Sequence, residues 1–201
     1  AIEIIKNAND NGLDKEKLKI FQIQLESIIL IDELKTNLNV EKPKEIIPTK
    51  KNLQILLACY ENGLFIETEN LAKTFINKYP KNPFAYKVLG AVLRQIGKNH
   101  EAIKFNQAAI ELSPKDEQAH NNLGLAFYGS GRLVDAELSF VQAITLQPNF
   151  AEAYYSRGII LYELLRLDEA VDSYNKAISI KPDYAQTYSN QGNILTKLDK
   201  F

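Results

Sequence analysis

Apolar residues recur along most of this chain at helical spacing, with polar residues between them. Leu123, Ala126 and Phe127 follow the i, i+3, i+4 spacing of one helix face. After a break at Gly131, a second apolar stripe begins at Leu133. Each stretch is about a dozen residues long, which suits a short globular helix rather than a strand. The pattern therefore predicts two helices joined by a turn, that is, a helical hairpin.

The hairpin pattern recurs with a period of 34 residues. One hairpin cannot bury its apolar face alone, so we expect stacked copies to form a right-handed α-solenoid with a concave and a convex side. Small residues allow two helices to approach closely, and Gly124 is expected to face Ala136 across its hairpin. Four ladders of residues share the period: Pro80, Pro114, Pro148 and Pro182; Gly90, Gly124, Gly158 and Gly192; Ala102, Ala136 and Ala170; Ala109, Ala143 and Ala177.

These ladders resemble the tetratricopeptide repeat family. A repeat of that family has 34 residues, with a bulky residue at position 4, Gly or Ala at 8, Ala at 20, an aromatic at 24, Ala at 27 and Pro at 32. The unit 83–116 departs from the pattern because Asn106 stands at position 24, and we expect the neighbouring Phe105 to supply the ring. The two complete matches are His120, Gly124, Ala136, Phe140, Ala143 and Pro148 in 117–150, and Tyr154, Gly158, Ala170, Tyr174, Ala177 and Pro182 in 151–184.

The resemblance implies an all-α solenoid over residues 49–201. Its first unit, 49–82, is degenerate, because Leu56 and Thr68 replace the small residues at positions 8 and 20. Its last unit, 185–201, is incomplete, and we expect the array to continue in the native protein. The sequence also starts at Ala1 and lacks methionine, which predicts a fragment or a processed product.

Residues 1–48 are predicted to form an N-terminal helical extension and a linker. Residues 14–38 have apolar positions at heptad-like spacing, including Phe21 and Ile28, which predicts one long helix. Either this helix caps the first repeat, or it mediates self-association. A short helix is expected within residues 1–13, and Pro43 and Pro48 mark the linker.

Charge and cysteine content restrict the class of protein. Lys and Arg total 24 and Asp and Glu total 25, so the chain lacks the basic excess of a general nucleic-acid binder. No apolar run reaches the roughly 20 residues that span a membrane. Cys59 is the only cysteine, which excludes an intramolecular disulfide or a cysteine-cluster zinc site. We expect a cytoplasmic protein, and resemblance to bacterial multi-repeat proteins of the family implies a bacterial one.

The residues that usually carry chemistry have structural explanations here. His100 lies at a turn and His120 at the bulky packing position, and no further ligands accompany them. Cys59 lies on an apolar helix face without a histidine partner. The glycines of 129–131 do not follow a strand, so a phosphate loop is not expected. We therefore predict no enzyme activity, no metal and no cofactor for this chain.

The concave face is the predicted site of function. Positions 2, 5, 6, 9, 12 and 13 of the first helices form a stripe separate from the packing stripe. Its tyrosines, amides and aliphatic residues suit an extended peptide, since amides bond a peptide backbone and rings pack its side chains. The predicted partner-binding residues are Phe84, Lys87, Arg94, Gln118, Asn121, Asn122, Leu125, Tyr128, Glu152, Tyr155, Ile159, Tyr162, Gln186, Asn190 and Asn193.

Three hypotheses for function follow. The first is an interaction module that binds a partner protein or peptide. Family members that clamp a C-terminal carboxylate have Lys at position 5 and Asn at 9, whereas here Lys87 is followed by Ala91, so that clamp is not expected. The second, implied by resemblance to bacterial multi-repeat proteins, is the docking arm of a glycosyltransferase, sulfotransferase or oxygenase. The third is a scaffold that self-assembles through the helix of 14–38 or the open last repeat.

Overall fold

The structure, a computed structural model, describes residues 14–36 and 47–198, and its regular secondary structure there is helical throughout. The all-α repeat fold is thus confirmed. None of the helices in this part of the chain is long and apolar enough to cross a lipid bilayer. The helix predicted within 1–13, linker residues 39–46 and the last three residues lie outside the described ranges.

The ten helices of the described chain are α1 (Lys15–Thr36), α2 (Lys50–Glu61), α3 (Phe65–Lys78), α4 (Pro83–Gln95), α5 (Asn99–Leu112), α6 (Glu117–Gly129), α7 (Leu133–Leu146), α8 (Ala151–Glu163), α9 (Leu167–Ile180) and α10 (Ala185–Leu198).

Helices α2 to α9 form four consecutive hairpins, each made of a first and a second helix. The two helices of a hairpin pack on each other, and the second helix also packs on the first helix of the next hairpin. Helix α10 continues this order by packing on α9. Each hairpin thereby hides on its neighbours the apolar surface that it cannot bury by itself.

The turn inside each hairpin requires a left-handed backbone at one position. Gly63, Gly97 and Gly131 adopt φ angles of 72°, 80° and 74°. Glycine occupies this region without the clash that a Cβ atom makes with the backbone. The fourth hairpin has Leu165 at the equivalent position, with φ of 61° and 80% of its surface exposed. The same turn therefore forms there at a higher conformational cost.

Side chains at the helix starts explain where the hairpins begin. Asn82 precedes α4, and its side-chain oxygen accepts hydrogen bonds from the backbone N–H groups of Phe84 and Ala85. Asp116 precedes α6 and accepts from the N–H of Ala119 at 2.9 Å. Such caps satisfy backbone donors that have no partner within the helix.

The regularly spaced glycines of the first helices pack against aromatic rings of the second helices. A Cβ atom on Gly124 would lie 2.7 Å from the ring of Phe140, and one on Gly158 would lie 2.5 Å from the ring of Tyr174. The glycine on the first helix thus admits the aromatic ring sixteen residues later. Gly124 was predicted to face Ala136; Ala136 is fully buried, and the side chain nearest to Gly124 is the ring of Phe140.

The hairpin of α4 and α5 fills the same space with an amide. Asn106 is fully buried, and a Cβ atom on Gly90 would lie 2.3 Å from its side-chain oxygen. Neither Asn106 Oδ1 nor Nδ2 has a hydrogen-bond partner. Phe105 was expected to supply the missing ring, but its ring packs at 6.4 Å from that of Tyr86 instead. A residue adjacent to position 24 points to a different side of the helix and cannot replace it.

Helix α1 packs on the first hairpin. Ser27, Leu30 and Leu34 are buried, and both leucines belong to the core that contains Leu56 and Phe75. Gln24 Nε2 also donates to Glu67 Oε1 of α3 at 3.0 Å. The structure thus has one long helix at Lys15–Thr36, and this helix contacts the first hairpin. The predicted apolar stripe is only partly buried, because Phe21 and Ile28 face solvent.

Candidate partner-binding groove

The first helices of the hairpins form one wall of the solenoid. Helix α2 contacts α4, α4 contacts α6, α6 contacts α8, and α8 contacts α10. Stacked helical repeats present such a wall as an extended binding surface. The predicted partner-binding residues all lie on α4, α6, α8 and α10. We call the face of these four helices that carries those residues the groove.

A pocket of about 220 Å³ lies at the end of the groove nearest the C-terminus. It is formed between α8, α9 and α10. Four predicted residues line it, namely Ile159 and Tyr162 of α8 and Asn190 and Asn193 of α10. Small-molecule sites typically occupy about 300–1,000 Å³. The pocket is therefore better suited to one side chain of a larger partner than to a whole cofactor.

A hydrogen bond across the groove joins α6 to α8. Tyr128 Oη donates to Glu163 Oε1 at 2.6 Å. This bond to a carboxylate raises the pKa of Tyr128 to about 12, and burial adds to the rise. Tyr128 therefore stays protonated at neutral pH and keeps the Glu163 carboxylate in one orientation.

Tyrosine rings form a cluster beside the pocket. The ring of Tyr155 lies 6.0 Å from that of Tyr174 and 4.9 Å from that of Tyr184, measured between centroids. Asn190 Nδ2 donates to Tyr155 Oη at 3.3 Å. Burial raises the pKa of Tyr174 to about 12. Tyr174 is buried, whereas Tyr155 and Tyr184 are half-buried, so these two rings provide the aromatic surface of the cluster. Tyrosine is enriched at protein-binding surfaces.

The other end of the groove is basic. Lys87 and Arg94 lie on α4, where both are half-buried, and the half-buried Phe84 packs on the main core. Lys87 Nζ lies 2.6 Å from Asp116 Oδ2. This ion pair is about four-fifths buried and ties α4 to the cap of α6. Lys87 is therefore already occupied by a carboxylate of its own chain.

The middle of the groove places its predicted residues at different depths. Gln118 Nε2 donates to Asn122 Oδ1 at 3.3 Å, and Leu125 packs against the core. Asn121 is only 4% exposed, because α6 is enclosed by the helices before and after it. Its Oδ1 has no hydrogen-bond partner. Asn121 thus offers a partner almost no surface, which differs from its predicted place in the lining.

Two acidic or polar residues of the predicted set lie outside the pocket. Glu152 is exposed at the start of α8, and its carboxylate lies 3.8 Å from Lys181 Nζ. Gln186 is exposed at the start of α10. They flank the tyrosine cluster rather than join it.

Two pocket residues were missed from the sequence. Glu163 occupies position 13 of its repeat, a position already counted in the predicted stripe, so the repeat register alone could have found it. Tyr174 occupies position 24 and was assigned to packing. Its ring does pack against Gly158, but it also lines the pocket. Only the three-dimensional arrangement shows that one ring serves both purposes.

The other chemically reactive groups have structural roles. Cys59 is fully buried, and burial raises the pKa of its thiol to about 11. His120 Nε2 lies 3.0 Å from the carbonyl oxygen of Pro114. Within residues 14–36 and 47–198, no group of three or more His, Cys, Asp or Glu side chains is arranged to hold a metal ion.

Comparison with known families agrees with this architecture. Residues 151–184 match the model described as tetratricopeptide repeat, and residues 90–131 match the model described as TPR repeat. No curated protein matched the chain. The fold defines a helical-repeat solenoid. The two matched stretches, residues 90–131 and 151–184, are tetratricopeptide repeats.

Solved structures share the fold. MamA is 25% identical, with a TM-score of 0.62, over 73% of this chain and 82% of that one. PilF of Pseudomonas aeruginosa is 16% identical, with a TM-score of 0.69, over 75% and 68%. The first tetratricopeptide domain of Spaghetti (RPAP3), solved with an HSP90 peptide, is 22% identical, with a TM-score of 0.57, over 58% and 93%. These structures establish the solenoid for most of the described chain.

Proposed function

We propose that this chain is a protein-interaction module that binds an extended segment of a partner protein in the groove. The observation that carries the proposal is the pocket between α8, α9 and α10, on which Ile159, Tyr162, Asn190 and Asn193 converge. A wall of first helices connects this pocket to the amides of α6. A similar solenoid, that of RPAP3, was solved with a peptide bound.

The polar groups of the groove suit a peptide backbone. Asn122 and Asn193 lie near opposite ends of the stretch from α6 to α10, and each amide both donates and accepts hydrogen bonds. An extended peptide presents alternating N–H and C=O groups that such amides can pair. The tyrosine cluster supplies the apolar contact that interface anchors require.

The mode of binding differs from the capture of a free C-terminal carboxylate. The lysine that would serve this purpose, Lys87, is paired with Asp116 at 2.6 Å. Releasing it would leave Asp116 without its partner in a mostly buried setting. The groove therefore recognises the interior of a peptide rather than its C-terminus.

Selection from a random peptide library displayed on phage tests the proposal. The chain is expected to enrich peptides, and the double change Asn122→Ala with Asn193→Ala is expected to weaken binding of a selected peptide about thirtyfold, for two lost bonds of about 1 kcal/mol each. The control is Leu138→Ala with Gln142→Ala, which changes two exposed side chains of the second helix α7. Circular dichroism melts verify that both variants fold.

Equal binding by the two double variants would contradict the groove as the binding face. Failure of the wild-type chain to enrich any peptide would contradict peptide binding itself.

Self-association is a second candidate, favoured by apolar surface on the two end helices. Ile28 on α1 is 60% exposed, and Tyr188 and Leu195 on α10 are 48% and 46% exposed. Light scattering on the chain, on Ile28→Asp and on Leu195→Asp tests this. A mass above the monomer that falls with either change supports association through that helix, and a monomeric wild-type chain excludes it.

A further inference from the structure

The pocket contains one charged group among neutral ones. Glu163 is its only ionisable carboxylate, and the other lining residues are Ile159, Tyr162, Tyr174, Asn190 and Asn193. Because burial raises the pKa of Tyr174 to about 12, that hydroxyl adds no charge at neutral pH. The pocket is therefore a small, partly aromatic space with a net charge of minus one.

No cation of the described chain neutralises this carboxylate. Ion pairs within residues 14–36 and 47–198 engage, among others, Glu69, Asp116, Asp135, Glu137, Glu152 and Glu169, and none of these pairs includes Glu163. The cations nearest in sequence are occupied elsewhere: Arg157 and Arg166 both pair with Glu137. Glu163 thus differs from these other carboxylates in lacking a positive partner.

The Glu163 carboxylate is nevertheless held in place. Its Oε1 accepts the hydrogen bond of Tyr128 Oη at 2.6 Å, whereas Oε2 makes no hydrogen bond within the described residues. A carboxylate whose orientation is already set loses little further freedom when it binds a cation. The free oxygen is a strong acceptor for a charged N–H donor.

We propose that the pocket takes a lysine or arginine side chain of the bound peptide. The inference rests on the proposed function and adds to it the identity of one recognised residue. The charged nitrogen pairs with Glu163 Oε2, and the amide oxygens of Asn190 and Asn193 are further acceptors for its remaining hydrogens. The ring of Tyr162, which lines the pocket, favours a cation because the face of an aromatic ring is negative. The pocket volume of about 220 Å³ suits a single side chain.

Peptides from the phage selection provide the test. Selected peptides are expected to share Lys or Arg at one fixed position. In a synthetic copy, replacing that residue by norleucine keeps the aliphatic stem and removes the charge. This replacement is expected to weaken binding about tenfold, the size typical of a charge-assisted hydrogen bond. The change Glu163→Gln should weaken binding of the basic peptide by a similar factor.

Two further variants separate charge at the pocket from charge in general. Asp172→Asn removes one negative charge from the exposed surface of α9, away from the pocket lining, and should leave binding of the basic peptide unchanged. Glu163→Lys should invert the selection, so that Asp or Glu replaces the basic residue. The preference should also weaken at higher salt, since screening reduces the attraction.

The outcomes distinguish this inference from the proposed function. If peptides are enriched, bind less well to the Asn122→Ala and Asn193→Ala variant, and show no basic residue at a fixed position, the inference is wrong and the proposed function stands. The inference would also be overturned if the norleucine peptide bound as tightly as the lysine peptide. The same holds if Glu163→Gln, like Asp172→Asn, left binding of the basic peptide unchanged. Absence of any enriched peptide would overturn both.

Discussion

Two neighbouring hairpins place side chains of opposite polarity against the equivalent glycine. In the hairpin of α6 and α7, Gly124 receives the fully buried ring of Phe140. In the hairpin of α4 and α5, Gly90 receives the fully buried amide of Asn106, whose two polar atoms have no partner. Burying an amide without hydrogen bonds costs free energy, whereas burying a ring gains it. The same position of the repeat therefore holds side chains whose burial has opposite expected effects on stability.

The largest expected effect comes from giving the hairpin of α6 and α7 the asparagine of the hairpin of α4 and α5. Phe140→Asn should lower the free energy of unfolding by about 4 kcal/mol, because it removes a buried ring and adds an unsatisfied amide. Urea unfolding followed by far-ultraviolet circular dichroism measures this. Phe140→Leu changes the shape of the side chain but keeps it apolar, and it should lower the free energy of unfolding by only about 1.5 kcal/mol. Equal costs for the two changes would show that the amide penalty is absent.

Filling the glycine side of the contact should have the next largest effect. Gly124→Ala places a Cβ atom 2.7 Å from the Phe140 ring, and overpacking of this kind costs about 2 kcal/mol. The matched control is Gly192→Ala on α10, where the added atom meets nothing within 4 Å. That change should stabilise the helix by about 0.5–1 kcal/mol through lower backbone entropy. Thermal melts compare the two, and a loss of stability in both would contradict the contact.

Replacing the buried amide in the hairpin of α4 and α5 by an apolar side chain should raise stability. Asn106→Leu keeps the branched shape and the number of side-chain heavy atoms and removes the unsatisfied amide, so the free energy of unfolding should increase by about 1.5 kcal/mol. Asn106→Asp should act in the opposite direction, since it buries a charge at the same place. Urea midpoints measure both. An unchanged midpoint for Asn106→Leu would indicate that the native amide is satisfied in solution.

The smallest expected effect concerns the turn of the last complete hairpin. Leu165 adopts φ of 61° where the three preceding hairpins have glycine. Leu165→Gly should stabilise by about 0.5 kcal/mol, because relief of left-handed strain exceeds the entropy that glycine adds to the unfolded chain. Leu165→Ala keeps a Cβ atom and should change little. Thermal melts of the two variants test whether left-handed strain destabilises the turn. Equal melting temperatures for Leu165→Gly and Leu165→Ala would contradict this explanation.

Much of the fold follows from periodic residues. The 34-residue ladders of proline and glycine predict the hairpins, and the structure places helices α4 to α9 accordingly. Periodicity works here because each repeat contacts mainly its neighbours, so local pattern and tertiary packing agree. It fails for single positions. The pattern suggested that Phe105 replaces a missing ring, but helix geometry turns adjacent residues to different sides.

Part of the candidate pocket was predicted from the sequence. Repeat register brought Ile159, Tyr162, Asn190 and Asn193 onto one face, and all four line the pocket. Register could not show the depth of each residue, so Asn121 was included although it is buried. Depth depends on how closely neighbouring helices approach, and this depends on side chains from other repeats.

The sequence by itself determined that the chain is a stack of helical hairpins, because apolar spacing and turn residues act within a few tens of residues. Only the tertiary structure decided what the repeats enclose. It placed an unpaired amide against Gly90, and it joined Tyr128 of one hairpin to Glu163 of the next. Such contacts depend on distances between atoms far apart in sequence, and residue types at regular spacing leave those distances open.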